Sequence, residues 1–397
     1  MNAHARATKE RTFTTRAGRD VSFTALGFGS APLGNYLRAL SEQECDETLS
    51  AAWESGLRYY DTAPLYGLGL SEQRVGRLLR RRPRDEFTIS TKVGRLLEPC
   101  APDEVNGLFF VHTPQVRFIY DYSYDAVMRS YESSLRRLGL DRVNILYVHD
   151  VDAFCHGGRD GSEARIRELL DTGGWRALDE LRHNGDVSAI GVGVNEWEPC
   201  ARMLELADPD LFLLAGRYTL LEQAPLETLF PECARRGVGV VIGGPYNSGI
   251  LAGKPTYNYS DVPAEIATKV RAMNDVCQRH GVPLNCAALQ FVLAHPVVVS
   301  VIPGSQTIEA QQALRYERAI QAFRAQAYAG AYGRFADLAD QGHPASAQWA
   351  LTMVSQGPAV FGSEWSATRG QLRRWIWLAA HQARDRTALI PDHDRGE

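Results

Sequence analysis

Thr24-Ala25-Leu26-Gly27-Phe28-Gly29-Ser30-Ala31-Pro32-Leu33-Gly34-Asn35 is the stretch on which the architecture turns. A short apolar run leads into Gly27-Phe28-Gly29, where a dinucleotide-binding doubly wound sheet would carry Gly-x-Gly-x-x-Gly and open a helix. The third glycine is missing and no helix cap follows. The open doubly wound sheet is therefore set aside, and the chain is read for what else a parallel βα rhythm can build.

Outward from that stretch the rhythm is regular. Short apolar runs bounded by turn residues stand at Thr24–Gly27, Arg58–Asp61, Phe87–Lys92, Asn144–His149, Ser188–Gly193, Leu211–Ala215, Gly239–Gly243 and Val298–Ile302. Helical patterns separate them, which predicts an α/β chain folded as a (β/α)8 TIM barrel. Ser41-Glu42-Gln43-Glu44 is a capping box that opens a helix with Cys45, Leu49, Ala52 and Trp53 on one face and a stop at Gly56. A second helix, from near Ser123 to Leu138, stripes Val127, Met128, Tyr131, Leu135 and Leu138 and ends at Gly139. Upstream, RTFTTRAGRDVSFTAL reads as an N-terminal hairpin turning at Ala17-Gly18-Arg19-Asp20 and lying across one end of the core.

Composition narrows the partners. Lys and Arg number 43 against 47 Asp and Glu, so neither nucleic acid nor an anionic membrane surface is an expected partner. A small molecule is, with the oligomeric state undetermined. No apolar run approaches the roughly 18 residues of a bilayer span, and the N-terminus lacks the apolar centre of a secretory signal, so a cytoplasmic location is expected. The seven cysteines are scattered, odd in number and never form Cys-x-x-Cys, which argues against a zinc site or a disulfide framework.

In a barrel, chemistry sits beyond the C-terminal ends of the strands. Asp61 ends the second strand candidate, with Tyr66 in the loop after it; Lys92 ends the third and His149 the fourth. A phenol has a reference pKa near 10, and a neighbouring ammonium would favour its phenolate. Lys92 is thus expected to tune Tyr66, Asp61 to hold Lys92 charged, and His149 to donate a hydrogen bond to a substrate oxygen. The protein would then move a proton while a cofactor carries the hydride. Singly, each residue has a plainer reading: a packing tyrosine, a structural ion pair, a satisfied core histidine. Their combination at consecutive strand ends is what points to a site.

Asp61-Thr62-Ala63-Pro64-Leu65-Tyr66-Gly67, Thr91-Lys92-Val93-Gly94 and Tyr147-Val148-His149 resemble the motifs of the aldo-keto reductases, over about residues 20 to 310. The resemblance implies Asp61, Tyr66, Lys92 and His149 as catalytic tetrad. Gly29 to Asn35, Lys92 to Leu97, Asp121-Tyr122-Ser123 and Gly243 to Gly249 are similar to a branch that oxidises aldoses at C1 to lactones, next to one that oxidises pyridoxal. Tyr66 would then be the general base. NADPH-dependent aldehyde reduction and a non-catalytic cofactor-binding subunit are the competing readings. The resemblance also implies nicotinamide-nucleotide contacts at Gly34, Asn195, Gly244, Pro245, Tyr246, Asn247, Gly249, Gly304, Ser305 and Gln306. The cationic clamp that many NADPH-dependent members carry is replaced by Gly304 and Ala310, which favours NAD and leaves NADP possible.

Two segments depart from the pattern. Leu97 to Tyr120 has no clear period and reads as a long mouth loop, with Phe109, Phe110, His112, Phe118 and Tyr120 suited to covering a ring; Asp152 to Asp171 reads as a second. Residues 1–314 are taken as the barrel. Residues 315–397, rich in Arg, Gln, Ala and Trp, form an atypical C-terminal extension. It is either a helical segment, with Leu372, Trp375, Ile376 and Ala379 as a stripe, or an out-of-frame tail, toward which the composition leans.

Overall fold

The computed structural model describes residues 8–304 except 255, 259 and 260, then residues 316, 319, 320, 322–340 and 344–387. They divide into two compact units, one within Thr8–Gln306 and one within Thr307–Glu397. No helix among the described residues is long and apolar enough to cross a membrane.

In the first unit, β1 (Glu10–Thr14) and β2 (Asp20–Thr24) form the N-terminal hairpin, antiparallel with Glu10 opposite Thr24. The barrel follows as β3 (Phe28–Gly29), α1 (Glu42–Glu54), β4 (Tyr59–Asp61), α2 (Leu70–Leu79) and β5 (Thr88–Val93). A ribbon, β6 (Arg95–Pro99) and β7 (Val116–Tyr120), precedes α3 (Tyr124–Leu138) and β8 (Ile145–His149). Then come α4 (Ala153–His156), α5 (Arg159–Asp171), α6 (Gly174–Asn184), β9 (Ala189–Val194), α7 (Glu198–Leu206) and β10 (Leu211–Ala215). The unit continues through α8 (Leu229–Arg236), β11 (Gly239–Gly243), α9 (Ala264–Arg279), α10 (Leu284–Ala294) and β12 (Val298–Ile302).

Eight strands pair in parallel in the order β3-β4-β5-β8-β9-β10-β11-β12. Parallel bridges Leu26 to Val301 and Gly29 to Gly304 then bring the first strand beside the last and close the ring. The barrel expectation holds, with one shift at its first strand. Thr24 pairs with Glu10 in the hairpin, so the chain enters the barrel only at Leu26, and the strand is Phe28–Gly29 rather than Thr24–Gly27. Gly27 suits this crossing because a Cβ there would sit 2.7 Å from the Tyr59 ring and 2.9 Å from Ile302.

The core explains the order of layers. Val21 and Phe23 of the hairpin, with Phe13 against them, pack on Tyr59, Ile145, Tyr147, Ala189, Leu211, Leu213 and Val241. These are first and middle positions of their strands, so the hairpin packs below the layer that holds the strand ends. The two helices read from their caps form as expected. Ser41 and Glu44 make the reciprocal capping box of α1, and Ser123 caps α3, which stops at left-handed Gly139.

Two loop expectations are corrected. Leu97 to Tyr120 is not structureless: β6 and β7 pair antiparallel from Arg95 opposite Tyr120 to Pro99 opposite Val116. Asp152 to Asp171 is helical, with Asp152 capping α4 through Cys155 N, and α5 burying Ser162, Ile166 and Leu169.

The second unit contains α11 (Tyr328–Asp340), α12 (Pro344–Phe361) and α13 (Arg369–Thr387) around Ala331, Phe335, Ala347, Ala350, Met353 and Trp375. Trp375 Nε1 donates to Asp340 Oδ1 at 2.9 Å. Of the stripe read there, Trp375 is buried and Leu372 and Ala379 are half-buried, while Ile376 is 58% exposed.

Candidate active site

Side chains alternate across a strand, so residues two apart point the same way. Tyr59, Ser90 and Tyr147 are fully buried at the barrel axis, with Tyr59 Oη 3.0 Å from Ser90 Oγ. Two residues on in the same strands stand Asp61, Lys92 and His149, which the alternation turns inward one layer higher. All three are buried. Gly193 on β9 leaves space for the lysine stem, since a Cβ there would meet Lys92 Cε at 3.4 Å.

Lys92 Nζ donates to Asp61 Oδ1 at 3.0 Å, to Asp61 Oδ2 at 2.8 Å and to Thr62 O at 2.8 Å. Those bonds use all three ammonium protons. Ser90 Oγ donates to Asp61 Oδ1 at 2.7 Å, so the carboxylate is held from two strands. Burial pushes the Asp61 carboxyl up from its ordinary value, against the pull of Lys92 and Ser90.

Tyr66 is partly exposed above this pair. Its ring lies 4.7 Å from Lys92 Nζ, 5.9 Å edge-on from His149 and 6.2 Å from Phe110. Burial first, then the carboxylates of Asp61 and Asp150, push Tyr66 well above its ordinary value, and the opposing cation is Arg95.

His149 is held well below its ordinary value by burial and by Lys92 and Arg95, so it is neutral. Its Nε2 lies 3.3 Å from Asp150 Oδ2. Its Nδ1 is buried and has no hydrogen-bond partner among the described residues. A proton on Nε2 fits this best, because an orphan lone pair is less costly than an orphan N–H.

The Tyr66 loop is set by glycines. A Cβ on Gly34 would come within 2.5 Å of Gly67 N and Tyr66 C, and one on Gly67 within 2.4 Å of Gly34 O. Gly34, read as a nucleotide contact, lies against the Tyr66-Gly67 backbone. Arg74 pins the loop after β3 against which Gly67 packs, donating to Leu33 O at 2.6 Å and to Asn35 Oδ1 at 2.8 Å. Tyr36 from this loop packs on Phe109 and Phe110 at 6.0 and 5.7 Å. Of the five aromatic or histidine residues expected over the mouth, Phe110 reaches Tyr66, Phe118 and Tyr120 stack on the Arg95 guanidinium, and Phe109 and His112 are exposed.

Three of the expected nucleotide contacts share one cleft. Asn195, Gly244 and Asn247 line it with Ala215, Gly216, Arg217, Ser248 and Asn258, after β9, β10 and β11. Asn195 Nδ2 is held by Asp150 Oδ1 at 3.1 Å, and Asn247 Nδ2 by Gly216 O at 3.1 Å. Pro245 is buried, Tyr246 packs with Ile250 and Leu251, and Gly249 adopts φ 113° against Lys254. Gly304 lies across from Gly29, while Ser305 and Gln306 fall outside the described residues. Sequence reasoning missed Arg217, two residues past β10, whose strand-end position was the available signal. It also gave no role to Arg95 or Asp150.

A group of this kind can hold a substrate oxygen between a phenol and an imidazole over a buried ion pair and exchange a proton with it. Comparison with known proteins bears on which substrates those are. A model of the aldo/keto reductase family matches residues 25–326. The chain is 42% identical to pyridoxal 4-dehydrogenase of Microbacterium luteolum, over 77% of this chain and 92% of that protein. It is 40% identical to D-threo-aldose 1-dehydrogenase of a Pseudomonas species, over 72% of this chain and 87% of that one. Among solved structures, an aldo-keto reductase from Bacillus halodurans in its holo form superposes with a TM-score of 0.60 at 26% identity, covering 77% of this chain and 88% of that one.

Proposed function

The chain belongs to the aldo/keto reductase family, and on that premise we propose that it oxidises a cyclic hemiacetal, an aldose at C1, to the lactone with NAD as hydride acceptor. The observation that carries the reading is the convergence of Tyr66, the Asp61–Lys92 pair and His149 at neighbouring strand ends. An aldose and pyridoxal share one feature: an aldehyde that closes on a hydroxyl of the same molecule.

Tyr66 takes the proton of the anomeric hydroxyl as the C1–O bond becomes a carbonyl. His149 fixes that oxygen, and the buried Asp61–Lys92 pair keeps the Tyr66 loop and the barrel floor in register. When bound, the nicotinamide ring supplies one thing, the acceptor for the hydride leaving C1. The polar loop ends around this cleft suit one phosphate group of a dinucleotide. Gly244 is exposed at φ 53°, Gly216 lies beside it at φ 68°, and Arg217 offers a cation with no carboxylate within ion-pair distance among the described residues. With Gly304 where a clamp for a further phosphate would begin, NAD is the cofactor we assign. Oxidation of pyridoxal is the second reading, favoured by the aromatic wall of Tyr36 and Phe110 beside Tyr66.

Initial rates of NADH formation with L-fucose, D-arabinose, L-galactose and pyridoxal, repeated with NADP, test the assignment. Turnover of at least one sugar with NAD, and weaker turnover with NADP, is expected. Turnover of pyridoxal alone selects the second reading, and NADPH-dependent reduction of simple aldehydes without any of these oxidations overturns both.

Gly34→Ala forces backbone against backbone at 2.5 Å, where no flexible side chain can yield. Displacing Tyr66 by about 1 Å is expected to lower kcat about a hundredfold, and the overpacking to lower stability by about 1–3 kcal/mol. Steady-state kinetics beside a urea melt measure both.

A further inference from the structure

Between the mouth ribbon and the barrel lies a second buried ion pair. Arg95 on β6 donates through Nη2 to Asp150 Oδ2 at 2.6 Å, and their side chains are 4% and 8% exposed. The guanidinium stacks over Phe118 at 4.8 Å and Tyr120 at 4.6 Å, and its Nε and Nη1 are buried with no hydrogen-bond partner among the described residues. Asp150 has φ 52°, a left-handed conformation unfavourable for a residue with a Cβ. Five side chains hold it there, and its N–H donates to Gly193 O at 2.9 Å. Beyond Arg95, its carboxylate accepts from Asn195 Nδ2 at 3.1 Å and lies 3.3 Å from His149 Nε2. Its carbonyl accepts from Tyr122 Oη at 3.0 Å and meets His156 Nε2 at 2.8 Å. One residue thus touches the imidazole of the proton-transfer group and an asparagine of the nucleotide cleft.

We infer that Arg95 and Asp150 are positioning residues for the proton transfer: a charge-balanced pair that sets the proton affinity of Tyr66 and fixes the His149 ring. The inference rests on Tyr66 being the proton-transfer group. Around Tyr66 the charged groups are Asp61 on β4, Lys92 on β5, Arg95 on β6 and Asp150 after β8, with His149 neutral; Tyr36 and Phe110 complete the wall without charge. The pair itself is faced by Asp152, Cys155 and His156 at α4, by Tyr120 and Tyr122 beside β7, and by Arg165 of α5 above the Tyr120 ring. At Tyr66 the Asp150 carboxylate opposes ionisation and the Arg95 guanidinium favours it, so removing either member of the pair moves the phenol in a direction given by the charge that remains. An uncompensated Asp150 opposes the phenolate, and an uncompensated Arg95 favours it.

The test is the pH dependence of kcat/KM for substrate oxidation at saturating NAD, where Tyr66 must act as a base. Arg95→Met is expected to move the midpoint up by about one pH unit and Asp150→Asn to move it down by about one, each a tenfold change in proton affinity. Arg95→Lys keeps the charge and loses the planar fork between the two rings, so its midpoint stays while KM rises. Ring-carbon NMR of labelled tyrosine in the nucleotide-free protein, assigned with Tyr66→Phe, reads the same shifts without turnover. Midpoints that stay put, or that move in one direction for both neutralised variants, overturn the inference. If Asp150→Asn does not fold, an upward shift in Arg95→Met with none in Arg95→Lys supports it, and equal midpoints in those two overturn it. Turnover surviving in Tyr66→Phe removes the underlying reading of Tyr66. A dead Tyr66→Phe with unmoved midpoints removes this inference alone.

Discussion

Tyr66→Phe is expected to lower kcat for hemiacetal oxidation by about 10³-fold, within the range contributed by a positioned acid or base, and to leave NADH affinity unchanged. The substitution removes one oxygen and retains the ring contacts with Phe110, His149 and Lys92. Tyr66 is not among the residues that line the cleft of Asn195, Gly244 and Asn247, so a nucleotide bound there should keep its contacts. The phenol stands well above its ordinary value because burial and two carboxylates oppose its ionisation. Oxidation should therefore accelerate as the pH rises toward the phenol's titration, and the variant should lose that rise along with the rate. Steady-state rates across pH, with NADH binding followed by fluorescence, measure both. A variant that keeps more than a tenth of wild-type turnover would sink the assignment of Tyr66 as base.

What was legible in the sequence is what alternation and caps encode. Leu211–Ala215, Gly239–Gly243 and Val298–Ile302 are strands with the limits their apolar runs define. These strands face core inside and helices outside, so every position must be apolar or small and the run itself marks the element. Asp61, Lys92 and His149 were legible for the converse reason: a charged or titratable side chain closing such a run has to find its partner at a neighbouring strand end. The ribbon was not. Each of Val116 to Tyr120 is half-buried, so no two-residue period shows, and its register depends on a partner about twenty residues away. In α5 only Ser162, Ile166 and Leu169 are buried, in a segment otherwise charged and opening on Gly157-Gly158, which has the look of a loop. Arg95 and Asp150 stand 55 residues apart and each is unremarked in its own motif; only the fold makes them a pair. The backbone packing of Gly34 was not legible, because the 2.5 Å approach of an added Cβ to Gly67 appears only in three dimensions.

Breaking the Asp61–Lys92 pair should separate stability from turnover more sharply than any other substitution. Both side chains are almost wholly buried, at 2% and 1% exposure, and 2.8 Å apart. Asp61→Asn leaves the ammonium without its counter-charge, and removing one partner of a buried pair typically costs about 3–5 kcal/mol. Lys92→Met leaves the carboxylate in the same position, with the same expected loss. The double variant Asp61→Leu with Lys92→Met leaves no charge behind, so most of the stability should return, because an apolar replacement of a buried pair is often neutral or better. Turnover should not return, since the inward layer beneath Tyr66 would have lost the groups that fix it. The two single variants are further distinguished by pH. A carboxyl whose folded pKa is raised stays protonated as the unfolded chain ionises, so the Lys92→Met penalty grows as pH rises above the ordinary carboxylate value and shrinks on acidification. A lysine stranded in the interior has its pKa lowered, so the Asp61→Asn penalty grows as pH falls below the ordinary lysine value. Urea melts of the three variants at several pH values, beside their turnover, would show slopes of opposite sign for the two singles and neither slope for the double. Parallel slopes in the singles, or a double variant as unstable as either, would mean that the pair is not the electrostatic unit its geometry describes.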